Sequence, residues 1–120
     1  AQVRPVQVEW VGPLEDGVES MLQGDNLGNR CREIACLLFA IDLTGDGHNE
    51  VLIFPRVGWG GGGKILARDE QGQWQIAASM YGAIGTEKLV EQVKDGKVEV
   101  VTPRFKTVRI GDQNMEITYP

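Results

Sequence analysis

Two apolar runs, Ile34-Ala35-Cys36-Leu37-Leu38-Phe39-Ala40-Ile41-Asp42 and Val51-Leu52-Ile53-Phe54, decide how this chain folds. Each has the length and the residue types of a strand buried on both faces, and neither is long enough to cross a bilayer, which takes about 20 apolar residues. The polar loop Asp42-Leu43-Thr44-Gly45-Asp46-Gly47-His48-Asn49-Glu50 joins them. A strand, a tight polar loop and a second strand make a hairpin, and so apolar a hairpin belongs at the heart of a sheet.

Working outward, Val6, Val8 and Trp10 alternate with polar residues and predict a half-buried first strand. Pro13 suits a first helical position, Leu14, Val18, Met21 and Leu22 share a face, and Gly24 is a stop, so a helix is expected over 13–24. On the other side, Lys64–Arg68 and Gln73–Ala78 predict a hairpin around Glu70-Gln71-Gly72, with Trp74 and Ile76 on one face. Thr86 and Glu87 open a second helix, striped by Leu89, Val90 and Val93 and ended by Asp95-Gly96. Val98 and Val100 alternate again, and Phe105, Val108 and Ile110 lead through Gly111-Asp112-Gln113-Asn114 to Met115, Ile117 and Tyr119, a last hairpin. The expectation is an α+β fold: a mainly antiparallel β-sheet of about eight strands with two short covering helices, residues 1–120 forming a single globular domain. No repeat of fixed period is visible, which excludes a solenoid or propeller.

The central loop carries chemistry. Oxygen-bearing side chains stand at alternate positions with glycine where the backbone must turn, the arrangement that Ca²⁺ requires as a hard cation taking six to eight oxygens. The expected ligands are Asp42, Thr44, Asp46, His48 through its carbonyl, and Glu50. The same residues also make a capped turn without metal, in which Asp side chains bond their own backbone amides. DLTGDGHNEVLI resembles the calcium loop of FG-GAP repeats of the integrin α-propeller type, Asp-x-Asp/Asn/Thr-x-Asp-Gly-x-x-Asp/Glu between two strands. That resemblance implies Ca²⁺ as the cofactor, and it covers a single copy at about residues 40–54, so a multi-bladed propeller and its ligand-binding role do not carry over. An EF-hand matches less well, because its twelfth loop position, a bidentate Glu, falls on Ile53.

Gly58-Trp59-Gly60-Gly61-Gly62-Gly63-Lys64-Ile65 spells most of a phosphate-binding loop, yet Ile65 stands where Ser or Thr would hold Mg²⁺, and a strand follows instead of a helix. Two readings remain for this segment. Trp59, Gly60, Gly61, Gly62 and Lys64 form a loop that presents an aromatic anchor to a partner, or Trp59 packs on the sheet edge beside a slack turn. Cys31 and Cys36, the only cysteines, are spaced so that a turn brings them into a disulfide; two buried thiols are the alternative.

Twelve basic against seventeen acidic residues give a net charge of −5, the wrong sign for phosphate backbones, so nucleic acid is not an expected partner. Zinc is not expected with one histidine beside two cysteines, nor is a Ser-His-Asp or Cys-His catalytic set. A start at Ala1-Gln2 is how a chain looks after signal cleavage, and equally how an excised domain looks; with the cysteines it points to a periplasmic or secreted protein. The functional expectation is therefore a non-enzymatic exported binding module with a calcium-type loop, binding and inhibiting a protein partner such as a secreted toxin or cell-wall hydrolase. A calcium-dependent carbohydrate-binding domain or hydrolase is the alternative.

Overall fold

Among the described residues nine strands hydrogen-bond into one sheet in the order β1-β7-β8-β9-β6-β5-β4-β3-β2, and every neighbouring pair is antiparallel. They are β1 Arg4–Pro5, β2 Glu9–Pro13, β3 Cys36–Ile41, β4 Glu50–Pro55, β5 Gly63–Arg68, β6 Trp74–Tyr81, β7 Val98–Val100, β8 Thr107–Ile110 and β9 Gln113–Thr118, with helix α1, Thr86–Lys94, between β6 and β7. The computed structural model describes residues 4–13, 31, 36–55, 63–81, 85–101 and 105–120.

The strand order forces the sheet to curl. β1 and β2 are the two outermost strands, and only Val6-Gln7-Val8 separates them in the chain. Laid flat, eight spacings of about 4.8 Å would put these edges about 38 Å apart, whereas Pro5 to Glu9 can span only about 14 Å. The sheet therefore wraps into an open barrel, and Val6 and Val8 cross its seam while packing on the core. They were expected to belong to the first strand; they link two strands instead.

The enclosed side holds the principal core. Phe39 and Ile41 of β3, Leu52 and Phe54 of β4, Met80 of β6 and Met115 of β9 meet Leu89, Val90 and Val93 of α1 there. The expected helix stripe is thus the buried face of α1. Glu87 in its first turn and Lys94 in its last oppose the helix dipole favourably. Asp95 and Gly96 end the helix as expected, their amides donating to the carbonyls of Glu91 and Val93.

A second core lies on the outer face over β3–β5, where Leu38, Val51, Ile53 and Leu66 are buried with Cys31 and Cys36, and Trp74 and Ile76 pack against them. Apolar residues on both faces explain why β3 and β4 read as continuous hydrophobic runs. All of β4 is buried, although the β3–β4 hairpin sits beside edge strand β2 and β6 is the central strand of the order. On β6 a bulge resets the faces: Leu66 pairs with Ile76 but Ile65 with Ala78, leaving Ala77 unopposed. Trp74 and Ile76 accordingly face outward, as their shared face required, while Ala78 and Met80 face the principal core.

Two further expectations change, at Pro13 and at the last turn. Pro13 closes strand β2 rather than opening a helix, and an edge strand tolerates its missing N–H. Residues 14–24 of that expected helix lie outside the described residues, among which α1 is the one helix seen from end to end. The last hairpin turns on Gly111-Asp112 alone, because Gln113 already pairs with Ile110 in the ladder.

Candidate metal centre

The loop between β3 and β4 is held at both ends by the hairpin register, which places Ile41 opposite Glu50. Between them the backbone reverses at Gly45 (φ 79°) and Gly47 (φ 88°), left-handed conformations that glycine adopts without steric cost. Asp42 organises the turn: its Oδ1 accepts the Gly45 amide at 2.8 Å and its Oδ2 the Gly47 amide at 3.0 Å. Asp46 Oδ1 accepts the His48 amide at 2.8 Å. The capped turn is thus present, as the bare polar sequence allows.

Glu50 is different in kind. It is the one buried charged residue among the described residues, 5% exposed, with its carboxylate turned back into the loop. Its Oε2 accepts the buried Leu43 amide at 2.7 Å, and its Oε1 accepts the Thr44 hydroxyl at 3.1 Å. Leu43, an apolar residue inside a polar loop, is fully buried in the principal core and anchors the loop there. Leu43 is not among the residues expected to matter for the loop; its apolar character amid polar neighbours is the signal the sequence offers.

These bonds bring Asp42, Asp46 and Glu50 together, one carboxylate oxygen of each lying within 4.8 Å of the other two. Two oxygens on opposite sides of one Ca²⁺, each at about 2.3–2.6 Å, are separated by about 5 Å at most, so the three oxygens fit around a single ion. The hydrogen bonds do not compete with that use, since each carboxylate oxygen has two lone pairs and each bond takes one. Three carboxylates of the five expected ligands thus converge. Thr44 sits among them through Glu50, and His48 contributes its amide to Asp46.

The electrostatics split the triad. Burial raises the Glu50 carboxyl above its usual value of 4.5, against the opposing pull of the Leu43 amide and the Thr44 hydroxyl. Asp46, exposed at the loop tip, is lowered below its usual 3.8, chiefly by the His48 amide. A buried carboxylate beside two others is an unfavourable charge arrangement, and a dication is the species that neutralises it.

The other expected sites are placed as follows. Cys31 and Cys36 form a disulfide with Cα atoms 5.0 Å apart, sealed in the outer core, which removes the free-thiol alternative. Lys64 is the second residue of β5, half-buried, and its Nζ donates to Ser79 Oγ on β6 at 2.8 Å, so it belongs to the sheet and not to the glycine-rich loop. Trp59, Gly60, Gly61 and Gly62 lie outside the described residues. No described helix is long and apolar enough to cross a membrane. No family model matches the sequence, and no curated protein or solved structure matches the chain.

Proposed function

We propose that this chain is a non-enzymatic, exported binding module in which Ca²⁺, held by Asp42, Thr44, Asp46, the His48 carbonyl and Glu50, stiffens the tip of the β3–β4 hairpin. The observation that carries the reading is the convergence of three carboxylate oxygens within 4.8 Å, one of them from a buried glutamate. An all-oxygen ligand set favours a hard cation, and a flexible loop that also supplies carbonyls suits Ca²⁺ better than Mg²⁺, which demands a near-ideal octahedron. The FG-GAP-like order of the loop residues supports the same ion.

The partner is a protein such as a secreted toxin or cell-wall hydrolase, which the module binds and inhibits. Two observations support this. The cysteines are locked in a buried disulfide, which suits an oxidising compartment and withdraws both thiols from nucleophilic chemistry. In the sequence Trp59 stands among Gly58, Gly60, Gly61 and Gly62, and tryptophan is a residue type enriched at binding hot spots.

Calorimetric titration of CaCl₂ into protein stripped with EGTA tests the ion directly. One bound equivalent at a Kd of about 10⁻⁴–10⁻³ M, with Mg²⁺ far weaker, is the expected outcome; absence of heat at millimolar Ca²⁺ removes the metal from the proposal.

A further inference from the structure

We draw no further inference here: the strongest candidate, the cleft where α1 meets the start of β7 and the β8–β9 turn, between Lys88, Gln92, Lys97, Glu99 and Asp112, carries nothing because its one buried side-chain acceptor without a partner, Gln92 Oε1, is shut away from solvent, and the remaining charges, of both signs, select no class of ligand.

Discussion

Replacing Glu50 by glutamine separates a metal ligand from a turn cap. Glutamine keeps the shape of the side chain: its amide oxygen can accept the Leu43 amide, and its amide N–H can donate to a Thr44 hydroxyl that turns to accept. What is lost is the charge. A hydrogen bond to a carboxylate exceeds a neutral one by about 1 kcal/mol, while removal of the buried charge relieves the desolvation that raises the Glu50 carboxyl. The two effects oppose, so without metal Glu50→Gln stays within about 1 kcal/mol of the wild type. Calcium then divides the two proteins. At a tenfold excess over Kd an ion bound only by the folded state adds about 1.4 kcal/mol. For 120 residues, with an unfolding entropy of about 2.1 cal/mol/K per residue, that raises the Tm by about 6 °C. The wild type should show this shift in 10 mM CaCl₂ by scanning calorimetry at constant ionic strength, and Glu50→Gln should move by less than about 1 °C.

The same pair carries a pH signature in EGTA. A carboxyl raised on folding binds its proton more tightly in the native state, so the native protein loses stability as pH climbs from the usual 4.5 through the raised value and is level above it. Glu50→Gln lacks that loss, and the difference between the two proteins should therefore shrink or reverse across this window. Asp46 acts oppositely and in a lower window, its contribution disappearing as pH falls below 3.8. An equal calcium shift in both proteins would refute the role given to Glu50, and no shift in the wild type would leave the loop a capped turn.

Asp46→Ala removes an exposed ligand and its bond to the His48 amide; far-UV circular dichroism should be unchanged and the calcium shift in Tm abolished. Leu43→Ala empties a fully buried site that anchors the loop, costing about 2–5 kcal/mol in urea unfolding. Two glycines should fail for different reasons. Gly47→Ala meets no atom within 4 Å but must hold φ 88°, a backbone cost of about 1–2 kcal/mol. Gly63→Ala would set a Cβ 2.9 Å from the Ile53 carbonyl oxygen and 3.0 Å from the Phe54 ring, so overpacking at the β4–β5 seam should cost about 1–3 kcal/mol while leaving calcium affinity intact. Substituting both Cys31 and Cys36 by alanine opens a loop with a sequence separation of 5, for which chain entropy gives about 2 kcal/mol of lost stability by chemical denaturation. Two alkylatable thiols in non-reduced protein made in an oxidising compartment would contradict the disulfide itself.

Local sequence was sufficient for several elements whose faces are set by near neighbours. The continuous apolar runs of β3 and β4, the stripe Leu89-Val90-Val93 of α1 and the alternation in β7, β8 and β9 each follow from which faces must leave water, and a neighbour in sequence is enough to express that. The ordered oxygens from Asp42 to Glu50 were legible for the same reason, since a loop nine residues long carries its own geometry. Tertiary structure decided what depends on distant partners. The crossing of Val6–Val8 from one sheet edge to the other, the strand fate of Pro13 and the bulge at Ala77 are consequences of a nine-stranded order that no local pattern encodes. The triad shows the division within a single site. Residue type and spacing name Asp42, Asp46 and Glu50, but Glu50 becomes a buried carboxylate only because the β3–β4 register sets it opposite Ile41 and the core takes in Leu43, whose amide it then receives. Burial is a property of everything that surrounds a side chain, so its effect on a charge is settled only when the whole sheet has closed around it.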